Sequence, residues 1–105
     1  MDIYEIYLEV GLSNSSEFDE KIIGGFVCIY IPAQNLEISI IEMKKRLFID
    51  KYDLIDIEYV QRIDLSEWDQ HRKDDYPSIT DLTNALASSN HLYSSFHTYE
   101  NKYEH

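Results

Sequence analysis

The sequence predicts an α+β fold, a two-layer sandwich in which a sheet of about four strands carries two helices on one face. Residues 24–63 are the main reason for this prediction. They contain two apolar strand patterns separated by an amphipathic stretch of about three to four helical turns, a length that suits a crossover and not a hairpin. A strand pattern precedes this unit, and a helix pattern followed by a strand pattern comes after it.

The first strand is predicted at residues 3–10 by period-two alternation. One face is apolar: Tyr4, Ile6, Leu8 and Val10. The other face is mixed: Ile3, Glu5, Tyr7 and Glu9. Because the charges are confined to one face, the strand is expected to be covered by the core on the other face alone. Residues 11–20 are polar and predict a loop, and the pair Gly24 and Gly25 predicts a bulge or bend.

The second strand, residues 26–31, is apolar on both faces and is therefore expected at the centre of the sheet. Asn35 is the predicted N-cap of a helix over residues 36–48. The core stripe of this helix has helical spacing: Leu36, Ile40, Met43 and Leu47. Three further apolar residues are expected to widen that stripe: Ile38, Ile41 and Phe48. The solvent-exposed side of this helix is expected to consist of lysines, an arginine and glutamates.

The third strand is predicted at residues 54–63. One face is expected to hold Ile55, Ile57, Tyr59 and Ile63. The opposite, charged face is expected to hold Leu54, Asp56, Glu58, Val60 and Arg62. Residues 64–76 are rich in carboxylates and predict an exposed acidic loop with a short helical turn at residues 65–68.

Ser78 and Asp81 have the spacing of a capping box, which predicts a helix that ends near Ser88. The narrow apolar stripe of this helix places it at the side of the core. Weak alternation over residues 92–99 predicts a fourth strand at a sheet edge. The order ββαβαβ, with both helices on one face, lies near the ferredoxin-like class. The pattern does not define the order of the strands within the sheet.

One domain is expected to span residues 1–105, because a chain of this length buries about two-thirds of its unfolded surface in a single core. Its content of 44% hydrophobic residues excludes the disordered class. The single cysteine, Cys28, falls in an apolar strand and favours a reducing compartment. With no secretory signal and no apolar run of membrane-spanning length, a cytoplasmic location is expected.

The chain is strongly acidic. It carries 20 Asp and Glu against 9 Lys and Arg, for a formal net charge of -11. Nucleic acid and anionic membranes are therefore not expected as partners, because the phosphate groups of both require cations. The charge predicts a basic protein as the partner. The chain itself is expected to be a monomer or a weak homodimer.

No reaction chemistry is predicted. The four histidines lie in loops or in the tail, without the i, i+4 spacing of a helical metal site. Cys28 has no flanking cation and no helix N-terminus to stabilise a thiolate. Scattered surface carboxylates lack the paired environments that acid and base catalysis needs. We therefore expect no enzyme, no catalytic residue, no metal and no cofactor.

The sheet face away from the helices combines aromatic rings with carboxylates, which suits a protein interface. The acidic loop around Trp68 extends the same surface. The predicted partner-binding residues are Glu5, Tyr7, Glu9, Phe26, Tyr30, Asp56, Glu58, Asp64, Glu67, Trp68, Asp69, Asp74 and Asp75. The alternative is an ordinary open sheet with cross-strand aromatic pairs.

Residues 25–60 run from a strand through a Pro-Ala turn and a helix to Tyr-Asp-Leu-Ile-Asp-Ile-Glu. This pattern, in a small acidic chain, resembles the immunity proteins of bacterial toxin-immunity pairs, including contact-dependent inhibition and other polymorphic toxin systems. The resemblance covers about a third of the chain and carries no residue-specific motif. It implies a tight inhibitory complex with a cognate toxin, often a nuclease with a basic cleft, in which carboxylates stand in for phosphates.

Three alternatives remain open on the sequence. An inhibitor that mimics nucleic acid, such as an anti-CRISPR or anti-restriction protein, has the same acidic character. A small ligand-binding or enzymatic domain of ferredoxin-like architecture would show a deep pocket with convergent polar groups. A structural homodimer would pair its open sheets face to face.

Overall fold

A computed structural model describes residues 1–68 and 76–100 of the chain. Five strands and two helices form an α+β fold, which confirms the predicted class. The elements are β1 (Asp2–Gly11), β2 (Ile22–Ala33), α1 (Leu36–Asp50), β3 (Asp53–Ile63), a short 3₁₀ helix (Leu65–Glu67), α2 (Ile79–Ser88), β4 (Leu92–Tyr93) and β5 (His97–Glu100). Neither helix in the described ranges is both long enough and apolar enough to cross a membrane.

The sheet is antiparallel, with the strand order β3-β1-β2-β4, and β5 pairs with β2 beside β4. Both β2 and β3 run antiparallel to β1 and therefore run in the same direction. The connection through α1 is thus the predicted crossover, but β1 lies between the two strands that it joins. The predicted last strand is divided into β4 and β5, so the described order is ββαβαββ and not ββαβαβ.

Local sequence chemistry determines where the helices begin. Asn35 Oδ1 accepts a hydrogen bond from the backbone N–H of Ile38 at 2.9 Å, which caps α1 as predicted. Ser78 and Asp81 form the predicted capping box at α2, with Ser78 Oγ accepting from the Asp81 N–H at 3.1 Å. Lys51 ends α1 in the left-handed region at φ 63°.

One side of α1 packs against the sheet. Met43 and Leu47 are buried in a cluster with β1 and β2 side chains such as Leu8 and Ile29, as the helical spacing predicts. Leu36, the first residue of the predicted stripe, is 49% exposed, so the burial predicted for it is wrong. The prediction that three more residues widen this stripe is also wrong: Ile38, Ile41 and Phe48 are exposed. The buried arc of the helix is narrow, and these residues lie on its opposite side.

The two helices lie on opposite faces of the sheet, which corrects the prediction that both cover one face. Met43 and Leu47 of α1 pack on one face, whereas Leu82 of α2 packs with Ile3 and Tyr30 on the other. The physical reason is that β2 is apolar on both sides and β1 places Ile3 on its charged face. Both faces of the central strands therefore require cover.

The last strands complete the edge of β2. The register of β2 against β5 shifts between Ile22 and Gly24, which confirms the predicted irregularity at the glycine pair. A Cβ atom at Gly24 would overlap the ring of Tyr99, so the absence of a side chain allows that ring to lie over β2. Between β4 and β5, the buried Ser94 Oγ accepts a hydrogen bond from the Cys28 N–H at 2.9 Å.

Candidate partner-binding surface

Four aromatic rings cross the α2 side of the sheet, one from each of four strands. Tyr59 of β3 lies 5.5 Å from Tyr7 of β1, measured between ring centroids. Tyr7 lies 6.1 Å from Phe26 of β2, and Phe26 lies 6.1 Å from Tyr99 of β5. We call Tyr59, Tyr7, Phe26 and Tyr99 the aromatic row. Rings at these separations stabilise one another and stiffen the sheet surface.

The aromatic row lies beyond the part of the sheet that α2 covers. Leu82 of α2 packs near Ile3 and Tyr30, at one end of this face, and the row crosses the sheet nearer the other end. Tyr59 keeps 42% of its surface exposed, and the other three rings are partly buried. The described part of the fold therefore leaves an accessible aromatic strip.

Carboxylates border this strip. Glu9 of β1 and Asp56 of β3 are direct cross-strand partners, and Glu58 lies two residues along β3. Lysine and arginine residues in ranges 1–68 and 76–100 form no ion pair with Glu9 or Asp56. Like charges opposite each other on neighbouring strands are destabilising, so a cation bound between them would be stabilised.

The tyrosine hydroxyls of the row stay protonated at neutral pH. Burial is the largest cause that raises the pKa of Tyr7, followed by nearby Cys28 and Glu58. The pKa of Tyr99 is raised first by the hydrogen bond that its hydroxyl donates to Glu9 Oε2 at 2.6 Å. The row therefore presents neutral, electron-rich rings beside negative carboxylates, an arrangement that attracts guanidinium and ammonium groups.

A buried network lies beside the row on the same face of the sheet. Glu5 is 0% exposed and accepts hydrogen bonds from described side chains of both neighbouring strands. The donors are Tyr30 Oη at 2.7 Å, Tyr59 Oη at 2.9 Å and Gln61 Nε2 at 2.6 Å. The network joins β1, β2 and β3, and it fixes the position of the Tyr59 ring within the row.

Burial corrects the expectation that Glu5 and Tyr30 lie on an open face. Both are fully buried, and Trp68 packs edge-on against Tyr30 with ring centroids 5.8 Å apart. The Trp68 indole N–H also donates a hydrogen bond to the Pro77 carbonyl at 3.1 Å, which ties the tryptophan to the segment before α2. The cause is the placement of α2 on this side of the sheet.

The remaining predicted residues fall into three groups. Those in or beside the aromatic row are Tyr7, Glu9, Phe26, Asp56 and Glu58. Asp64 and Glu67 are exposed at the 3₁₀ helix, where hydrogen bonds from the Ser66 hydroxyl and backbone lower the pKa of Asp64. Asp69, Asp74 and Asp75 lie outside the described residues.

Two members of the row, Tyr59 and Tyr99, are not among the partner-binding residues predicted from the sequence. Tyr59 was assigned to the wrong face because β3 contains two register shifts against β1, at Ile55 and Glu58. The spacing of three between the inward residues Leu54, Ile57 and Val60 is the signal that marks this irregularity. Tyr99 gave no comparable signal, because its position depends on the space above Gly24.

Among the described residues, no group of three or more His, Cys, Asp or Glu side chains is arranged to hold a metal ion. Comparisons of the chain with protein-family models, with curated proteins and with solved structures found no match.

Proposed function

We propose that this protein is an immunity-type inhibitor that binds a cognate basic protein, a bacterial toxin, through the aromatic row and the carboxylates beside it. The observation that carries the proposal is the combination of four accessible or half-buried rings with the directly opposed carboxylates Glu9 and Asp56, which form no ion pair with a lysine or arginine of the described residues. The resemblance of residues 25–60 to small immunity domains agrees with it.

The contact chemistry favours lysine and arginine side chains on the partner. A guanidinium group placed over a tyrosine ring gains cation–π attraction, and the same group can form an ion pair with a neighbouring carboxylate. Glu9 and Asp56 lie on the strands that also carry Tyr7 and Tyr59, so one cation can use both kinds of contact. Rigid aromatic rings also contribute contact area at a small entropic cost.

The lysines and arginines of the described residues are concentrated on the α1 side of the sheet. Four of the six lysines and arginines in these ranges lie at the end of α1 or just after it: Lys44, Lys45, Arg46 and Lys51. The strand β3, by contrast, carries Asp53, Asp56 and Glu58 with the single cation Arg62. The field on the side of the row therefore attracts a cationic partner over a distance of about 10 Å at 0.1 M salt.

We propose further that the target is a nuclease and that the carboxylates occupy the cations of its substrate cleft in place of nucleic-acid phosphates. Such a mode of inhibition requires rigid, closely spaced negative charges. The ladder between β1 and β3 and the hydrogen bond from Tyr99 to Glu9 provide this rigidity.

The test is protection of cells that express the product of the neighbouring reading frame, together with inhibition of that product in vitro. We expect the wild-type chain to protect. Phe26→Leu removes an aromatic face from the row and is expected to weaken binding at least about tenfold. The matched control is Phe96→Leu, which changes a ring packed in the cluster on the α1 side. Equal effects of the two substitutions would contradict the proposal.

A further inference from the structure

The outward face of α1 is apolar. Phe48 is 85% exposed, Ile49 is 65% exposed and Ile41 is 54% exposed, and Ile38 lies on the same side of the helix. These residues point away from Met43 and Leu47, which pack against the sheet. We call Ile38, Ile41, Phe48 and Ile49 the outer stripe. An exposed stripe of large apolar residues on a highly charged chain marks an interaction surface.

The spacing of the stripe matches that of helices that pack side by side. Positions 38, 41, 45 and 48 are separated by three, four and three residues, the alternation found along a helix-helix seam. Lys45 occupies one of these positions, where its aliphatic stem can cover apolar surface while the ammonium group reaches solvent. The stripe is therefore shaped to receive another helix.

We propose that the outer stripe binds the same helix of a second copy of this chain, with the two α1 helices antiparallel around a two-fold axis. The charges flanking the stripe carry the assignment. Glu37 and Glu42 flank its N-terminal half, whereas Lys44 flanks its C-terminal half. An antiparallel pair places the acidic half of each helix beside the basic half of the other, so the surface is complementary to itself.

The distribution of charge over the whole molecule favours the same surface. Two chains of net charge -11 repel each other, and most approaches bring carboxylates together. The C-terminal end of α1, with Lys44, Lys45, Arg46 and Lys51, is where the described cations are concentrated. Two copies can therefore approach through α1 with the least repulsion.

A cleft of 690 Å³ extends the outer stripe at the C-terminal end of α1. Its lining includes Leu47, Phe48, Tyr52 and Leu54. A second helix packed along the stripe therefore covers apolar surface of this cleft as well.

The proposed dimer leaves the aromatic row free, because α1 and the row lie on opposite faces of the sheet. The dimer would display two rows facing away from each other. This inference does not rest on the proposed function, and a failure to bind any toxin would leave it intact.

The test is sedimentation of the purified chain over a wide concentration range. The wild-type chain is expected to dimerise reversibly, and Phe48→Glu is expected to raise the dimer dissociation constant at least about tenfold. The matched control is Ile55→Glu, an exposed isoleucine of β3 outside the stripe, which is expected to leave it unchanged. Because Phe48 is largely exposed, the variant should keep the wild-type helical content, and it should keep the wild-type melting temperature at protein concentrations at which both chains are monomeric.

The antiparallel arrangement has a separate test by charge exchange. Glu37→Lys and Lys44→Glu should each weaken self-association, because each places like charges together across the seam. An equimolar mixture of the two variants should restore it, since both cross-seam pairs are then attractive. Two outcomes would overturn the proposal: a wild-type chain that stays monomeric at every concentration, or a dimer that Phe48→Glu does not weaken. The outer stripe would then be a binding surface for a different protein. Failure of the mixture to restore association would overturn the antiparallel arrangement.

Discussion

Glu5 is a carboxylate that the strand pattern predicts on an open face, but it is buried and hydrogen-bonded in the interior. The alternation of β1 predicts that Glu5 and Glu9 share a face, and they do. Only Glu9 is accessible, because the end of the face near Glu5 is covered by Trp68 and α2. Periodicity identifies the side of the sheet on which a residue lies. Whether that part of the sheet is covered depends on packing between segments that are distant in sequence.

Replacing Glu5 by Gln tests the buried network. The substitution keeps the side-chain shape but replaces an acceptor oxygen with an N–H donor opposite the hydroxyl and amide donors. We expect the free energy of unfolding to fall by about 1–3 kcal/mol, measured by urea denaturation. Glu58→Gln, at an exposed position of β3, is the control and should change it by less than about 0.5 kcal/mol. Equal effects would contradict an internal role for Glu5.

The tyrosines predict a loss of stability in alkali. Burial raises the pKa of Tyr59 and Tyr93 above the ordinary value of 10.0, followed for Tyr93 by its hydrogen bond to Asp50. Groups whose pKa is raised by folding hold their protons more tightly in the folded state, so their contribution is complete below about pH 10 and is lost as the pH rises above it.

The corresponding measurement is the urea midpoint at neutral pH and above about pH 10, with phenolate absorbance recorded in parallel. The midpoint should fall as the pH rises, and Tyr93→Phe should make this fall smaller while lowering stability at neutral pH. A urea midpoint that is the same at neutral pH and above about pH 10 would rule out linkage to the tyrosines.

Helix α1 presents apolar residues on two sides, and only one of them packs in the monomer. Leu47 is 2% exposed, whereas its neighbour Phe48 is almost fully exposed. We expect Leu47→Ala to lower the free energy of unfolding by roughly 2–5 kcal/mol, because it leaves a cavity between α1 and the sheet. Phe48→Ala should cost the monomer much less. Similar losses for both substitutions in thermal unfolding at low protein concentration would contradict this orientation of the helix.

The elements themselves were largely predictable, because their signals are local. The caps at Asn35 and Ser78 and the core positions Met43 and Leu47 follow from residue type and helical spacing. The faces of β3 were not predictable from alternation, since each register shift reverses the faces for the residues that follow it. The side on which α2 packs depends on contacts between segments far apart in sequence.

At the scale of the whole molecule, the sheet separates two surfaces of different character. The side of the aromatic row is acidic, and the side of α1 combines an apolar stripe with lysines. The net charge predicts attraction to basic proteins, and the proposed function assigns that attraction to the side of the aromatic row. Composition determines the sign of a partner's charge but not its identity, because any basic surface of suitable shape experiences the same field.

If carboxylates beside the aromatic row recruit a basic partner, the association rate constant depends on their charge. The rate should be measured at low and moderate salt with the product of the neighbouring reading frame. The test variant reverses Asp56 and Glu58 to lysine. The control reverses Asp19 and Glu20, two exposed acidic residues of the loop before β2 that belong neither to the row nor to the outer stripe, for the same change in net charge.

At low salt, we expect the Asp56 and Glu58 reversals to slow association at least about tenfold and the control reversals to slow it several times less. The difference should shrink as salt screens the field. Equal rates for the two variants at low salt would show that the partner does not approach the aromatic row and would contradict the proposed function.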